Sequence, residues 1–190
     1  MKFGGTSVAD PDAINRLIGI VRQQKERDKT PPVVVVSALA GVTDKLVAVA
    51  RLAEEGEADK AGAELQALLD RHIAVAGAIT SQSRNAVISE VKKEFDELIG
   101  LVHALSVLRE VSPRSHDAVV AVGEITSSRI VAAALADHRL ASGWVDARKV
   151  LVTDAEHGTA APDMDADRAM RKAFSRRRSP RQNACAAPAK

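Results

Sequence analysis

The chain has 190 residues, 46% of them hydrophobic and 27% charged, with a formal net charge of +2, which is enough for a soluble domain with a buried core. Aromatic residues make up 2% and tyrosine is absent, so the core must be built from Ala, Val, Leu and Ile, a composition that suits a nucleic-acid platform of stacking aromatic faces poorly. The single Cys185 excludes an internal disulfide and a cysteine-rich zinc site. The chain reads as lacking both an apolar run of membrane-spanning length and a leader-type segment, so the expectation is a cytoplasmic protein with no membrane partner.

Met1–Phe3 reads as the stub of a strand that runs into a Gly-Gly turn. Asp10 can cap the first helix, Pro11 suits its first position, and Ile14, Leu17, Ile18 and Val21 follow at helical spacing. Thr30-Pro31-Pro32 ends this unit, and the β-branched run Val33–Val36 predicts a strand buried on both faces. Ser37–Thr43 then forms a loop before a helix over about 44–55, which is the strand–loop–helix order of a parallel sheet. Residues 58–111 carry two long apolar stripes, one with Leu65, Leu68, Leu69, His72 and Ile73, the other with Ile88, Val91, Phe95, Leu98 and Val102. They predict an inserted antiparallel helical hairpin joined near Thr80–Ser83, with His72 and His103 on or near the stripes as packed or partly exposed side chains.

Ser112-Pro113 restarts the chain, the apolar run Ala118–Val122 leads to Gly123-Glu124 at a helix start, and that helix reaches about Asp137. Gly143–Asp146 and Val150–Thr153 are short strand candidates, and 163–174 predicts a last helix. Residues 168–190 hold eight Lys or Arg and no acid, which leaves 19 basic against 25 acidic residues in the body of the chain. The tail over 175–190 has no apolar period and reads as disordered. With neither aromatics nor a recognisable fold, it gives no ground for a nucleic-acid partner.

Four places offer chemistry. In Lys2-Phe3-Gly4-Gly5 the glycines let backbone N–H groups converge on an anion and the lysine adds a point charge, although a plain β-turn uses the same residues. Asp10 and Asp12 occupy the positive end of the next helix, so any phosphate must meet Lys2 and the turn directly. Ser37 and Thr43 stand beyond the end of a strand, where parallel sheets bind ligands, although Thr43 or Asp44 could equally cap a helix. Glu124 could pair with a substrate amino group or serve as a first-turn acid. Asp146 and Arg148 stand two apart in an extended stretch, which suits an ion pair or a place near substrate. The residue types point to no metal site.

Together, the stretches KFGGTSVAD, VVVVSALAGVTDKL, SPRSHDAVVAVGEITSSRI, GWVDARKVLVTD and HGTAAPD resemble the aspartokinases of the amino-acid kinase superfamily. The resemblance covers about residues 2–163 in family order, and the helical insert is similar to that of the longer-insert members. It implies an α/β fold, the parallel-sheet αβα sandwich of the amino-acid kinase type, here incomplete, within a partial catalytic domain over 1–174. It implies phosphoryl transfer from ATP with Mg2+ to the side-chain carboxylate of L-aspartate, on the route to lysine, threonine and methionine. Lys2, Gly4 and Gly5 would face the transferring phosphate, with Lys2 catalytic, while Ser37 and Thr43 would contact aspartate and Glu124 would bind its ammonium group. A homo-oligomer is compatible with the resemblance. The family's first strand carries more apolar residues before the lysine, and its members continue past the last matched stretch into most of the nucleotide pocket. The expectation is therefore a truncated chain with little or no kinase activity by itself and a basic tail read from a shifted frame. Another amino-acid kinase and a non-catalytic binding fragment stay open beside this reading.

Overall fold

A computed structural model of the chain describes residues 1–28 and 31–166. The chain divides into two compact units, Met1–Trp144 and a second that begins at Val145. The first unit is helix-rich α/β. Strands β1 (Lys2–Phe3) and β2 (Val35–Val36) form a parallel pair with Lys2 opposite Val35 and Phe3 opposite Val36. Helices α1 (Pro11–Arg27), α2 (Val42–Glu54), α3 (Ala58–Ile79), α4 (Arg84–Leu108) and α5 (Pro113–Asp137) supply the rest.

The expected cap of α1 forms as read. Asp10 Oδ1 accepts the Ala13 N–H at 2.8 Å, Pro11 takes the first turn, and Ile14, Leu17, Ile18 and Val21 are buried. The strand expectation needs correction. Only Val35 and Val36 of the β-branched run pair with β1, and the run is not buried on both faces, since Val33 is 77% and Val35 53% exposed. Val36 and Phe3 turn the other way into the core, so the ribbon is covered on one face. The two long stripes fold as α3 and α4, linked by residues 80–83. They share one apolar core with α1, α2 and α5, with Leu65, Leu68, Phe95 and Leu98 in the same cluster as Leu46 and Ile130.

The largest correction concerns residues 113–137. They form one helix that begins at Pro113, where Ser112 Oγ accepts the Ser115 N–H at 3.1 Å. The apolar run Ala118–Val122 is helix interior, and Glu124 lies in mid-helix rather than in a first turn. Apolar runs of this length do not distinguish a strand from a buried helix, whereas the Ser-Pro start signal does. Helix α5 is also long and apolar enough to cross a membrane by length and composition, with a window of mean hydropathy 1.6, contrary to the sequence reading. Within that window 56% is buried inside the protein, so its apolar residues build the core.

Neither strand candidate, 143–146 or 150–153, forms a strand among the described residues. Asp146 caps a 3-10 turn at Ala147–Lys149, and Thr153 makes an isolated antiparallel bridge to Pro162. The Asp154 carboxylate accepts the N–H groups of Glu156 and Ala161 and so pins the loop between them. Local turns take up the backbone groups here that the expected strands would have paired. The basic tail over 175–190 and most of the helix expected over 163–174 lie outside the described residues.

Candidate active site

The site is built where β1 and β2 end. Their parallel pairing continues through Ser37, whose N–H donates to the Phe3 carbonyl at 3.1 Å, so the Gly4-Gly5 turn and the Ser37–Gly41 loop leave the sheet side by side. Gly5 opens a 3-10 turn through Val8, closed by the Ser7 N–H on the Gly4 carbonyl at 2.9 Å. A Cβ on Gly5 would stand 3.2 Å from the Ala38 carbonyl oxygen and 3.6 Å from Ala40 Cα. Glycine therefore lets the two loops touch, which is a packing role beside any anion-binding one.

Helix α5 supports the second loop from behind. Glu124 Oε1 accepts the Ala38 N–H at 3.3 Å, and Ser127 Oγ donates to the Ser37 carbonyl at 2.7 Å. These two residues are three apart and so share a helix face. Gly123 brings that face close, since a Cβ there would meet Ala38 Cβ at 2.8 Å and Val42 Cγ1 at 3.2 Å. From the helical insert, Arg71 Nη1 donates to the Ala40 carbonyl at 2.8 Å and Nη2 to the Ala9 carbonyl at 3.2 Å.

Gly4, Gly5, Ser37 and Glu124 are thus brought together. Lys2 and Thr43 are carried by the same two strand–loop–helix units, Lys2 on the exposed side of β1 and Thr43 exposed in the first turn of α2. No hydrogen bond or ion pair among the described residues joins either of them to Glu124. Thr43 is not a cap. Helix α2 starts at Val42 after Gly41, which sits at φ +74° and makes no side-chain cap, so the Thr43 hydroxyl has no capping duty.

Asp146 and Arg148 form a bidentate ion pair, with Oδ1 accepting from Nε at 2.9 Å and Oδ2 from Nη2 at 2.8 Å. The Arg148 bond is the first cause that holds the Asp146 carboxyl below the usual range. Their stretch is a capped turn rather than extended. His72 is fully buried against Phe95, and His103 is exposed.

Arg71 and Ser127 escaped the sequence reading. Their contacts span 31, 62 and 90 residues, and no local pattern announces such a contact. The only available signal was their placement, Arg71 beside the buried stripe of α3 and Ser127 one turn past Glu124.

The arrangement offers amide-rich loops at the ends of two parallel strands and one carboxylate behind them. Such loops suit an anion, and the carboxylate suits a substrate ammonium. Known proteins share the fold. The chain is 34% identical to the lysine-sensitive aspartokinase 3 of Escherichia coli K12 over 165 residues, covering 87% of this chain and 34% of the relative. It is 29% identical to an aspartokinase of Chlamydia trachomatis over 163 residues, 86% of this chain and 33% of that one. Crystal structures of E. coli aspartokinase III, one with lysine and aspartate and one with aspartate and ADP, superpose with TM-scores of 0.79 at 32% identity, covering 96% of this chain and 38% of theirs. The chain spans about a third of the length of these curated relatives. The amino acid kinase family matches residues 1–178, a stretch that takes in both loops, the insert and Glu124, and the chain belongs to that family.

Proposed function

We propose that the chain carries the acceptor-binding side and the phosphate-facing turn of an aspartokinase site. The reaction is transfer of a phosphoryl group from ATP to the side-chain carboxylate of L-aspartate, giving 4-phospho-L-aspartate. The observation that carries this reading is the convergence of Glu124 and Gly5 on one loop, with the Glu124 carboxylate at the Ala38 N–H beside Ser37. The solved relative that holds aspartate and ADP supports this choice of ligands.

On this reading Glu124 pairs with the aspartate ammonium, and the Ser37 and Thr43 hydroxyls donate to its carboxylates. Gly4 and Gly5 present backbone N–H groups to the transferring phosphate, and Lys2 offsets charge that spreads over its oxygens in the transition state. An oxygen of the aspartate side chain forms the new bond to the γ-phosphorus while the bond to the ADP oxygen breaks, and the acceptor carboxylate has no proton to lose. Positioning and charge neutralisation are therefore the whole task. Mg2+ would enter with ATP as part of the nucleotide substrate.

The same reading makes β1–β2 part of a parallel-sheet αβα sandwich with residues 58–111 as an inserted hairpin, within a partial catalytic domain over 1–174. It places the reaction in the cytoplasm, on the route to lysine, threonine and methionine. Because the chain spans about a third of its relatives, we propose aspartate binding with little or no turnover by this polypeptide alone.

Calorimetry with L-aspartate and L-glutamate, beside an ADP-release assay with MgATP, tests both parts. Saturable heat for aspartate alone is expected. Equal binding of glutamate would assign the site to another amino-acid kinase, and turnover matching a full-length aspartokinase would refute the claim of low activity.

A further inference from the structure

We propose that Arg71 is a positioning residue that fixes the spacing between the phosphate-facing turn and the amino-acid loop. The inference rests on the aspartokinase reading for the ligand, but its geometry is independent of it. One guanidinium reaches both segments, the Ala40 carbonyl at 2.8 Å just before α2 and the Ala9 carbonyl at 3.2 Å just after the 3-10 turn. The loops already touch where Gly5 packs closest on the Ala38 carbonyl. Arg71 ties them near their ends, so both loops are held at two points and their backbone N–H groups keep a fixed relation. Electrostatic catalysis of phosphoryl transfer needs such preorganisation, because donors that must move at the moment of reaction lose most of their advantage.

The choice of side chain fits this role. Arginine presents several N–H donors in a rigid plane and can bond two carbonyls at once, whereas a lysine ammonium on a flexible stem holds two such acceptors less well. Arg71 is half-buried, and among the described residues it makes no ion pair. Both of its acceptors are neutral carbonyls, so its positive charge remains uncompensated beside loops suited to anions. The same charge is felt one residue away at His72. Burial first lowers the His72 pKa, the Leu68 carbonyl opposes this, and Arg71 adds to the lowering. The helical insert thereby has a direct mechanical and electrostatic link to the site, through a residue that belongs to neither loop.

The test compares the full chain with Arg71→Met, Arg71→Lys and the surface control Arg16→Met, which removes an equal charge from the exposed side of α1. Two measurements are made on each, L-aspartate affinity by calorimetry and amide hydrogen exchange without ligand. Arg71→Met should weaken aspartate binding about tenfold or more, the scale of losing a hydrogen bond from a charged donor, with Arg71→Lys in between and Arg16→Met unchanged. Exchange should quicken at Ser7 and Val42, whose N–H groups bond within the two loops at 2.9 Å, and not in the interiors of α3 and α4. A general loss of stability would quicken exchange everywhere and would not be rescued by lysine. If the wild-type chain takes no aspartate, the ligand assignment fails while faster exchange confined to both loops still upholds Arg71 as their clamp. Unchanged loop exchange in Arg71→Met, or affinity within twofold of wild type, overturns the proposal.

Discussion

Glu124 on α5 and Ala38 in the β2–α2 loop, 86 residues apart in sequence, are joined by a hydrogen bond of 3.3 Å from the Ala38 N–H to Glu124 Oε1. The carboxylate therefore has two possible duties, holding the loop and meeting a substrate cation, and they can be separated. Glu124→Gln keeps an acceptor oxygen for Ala38 but removes the charge. It should leave the unfolding midpoint within a degree or two and weaken aspartate binding by about tenfold or more, the loss expected for a charge-assisted bond to an ammonium. Equal aspartate affinity in calorimetry would reduce Glu124 to a loop anchor.

Gly123 is the neighbour that lets α5 approach. In a helix interior, Gly→Ala normally stabilises by about 0.5–1 kcal/mol. At Gly123 the new methyl would meet Ala38 Cβ at 2.8 Å, Val42 Cγ1 at 3.2 Å and Leu46 Cδ1 at 3.3 Å. Helix and loop must then separate, a strain of about 1–3 kcal/mol that outweighs the propensity gain. Gly77 and Gly100 have nothing within 4 Å of the added carbon. Gly123→Ala should therefore lower the urea midpoint while Gly77→Ala and Gly100→Ala raise it. Fluorescence of Trp144, the single tryptophan, reads all three, since its indole N–H donates to Ser128 Oγ and Arg129 lies 3.8 Å over its ring.

These contacts show how far the sequence could be read. The caps at Asp10 and the stripes of α1, α3 and α4 were legible because they depend on residues within a turn or two. The parallel pairing was legible from the strand–loop–helix order. Glu124 was singled out for its position beside Gly123, yet its helix was begun too late, because an apolar run bounded by Gly looks the same in a strand and in a buried helix. Arg71 and Ser127 act on backbone carbonyls of distant loops, and a carbonyl leaves no mark on the sequence that would reveal which side chain it accepts from. Lys2 and Thr43 were singled out for charge and hydroxyl at strand ends, but those residue types fit a turn or a cap equally well, and only the resemblance gave them duties.

The buried histidine predicts a pH dependence. His72 is fully buried, its Nδ1 lies 2.7 Å from the Leu68 carbonyl, and its Nε2 has no hydrogen-bond partner among the described residues. Burial, the largest cause, lowers its pKa from the ordinary 6.5, with Leu68 opposing and Arg71 assisting. Between the folded and unfolded values the unfolded chain binds more protons, so stability is full above about 6.5 and falls as the pH drops below it. His72→Phe keeps a ring against Phe95 and removes the titration. Urea midpoints taken from pH 7.5 to 5 should decline for the wild type and flatten for the variant. Parallel declines would show that another group controls that range.

Asp137 acts in the same direction at lower pH. Its Oδ2 accepts the Ser81 N–H at 2.6 Å, and both oxygens accept the Ser83 N–H at 3.3 Å, so the end of α5 caps the start of α4. Burial pushes its pKa upward, but the bonds from Ser81 and Ser83 outweigh this and hold the carboxyl below its ordinary 3.8. The group is only half-buried, so its value is best judged as a cap and not from the shift, at about 1 kcal/mol. Its contribution is present above 3.8 and is lost as the pH falls through the lower folded value. Asp137→Ala should therefore lower the urea midpoint at pH 7, and the gap to wild type should close as the pH is taken toward 3. A gap that stayed constant over this range would mean that the variant loses packing at the α4–α5 junction and not a charged cap.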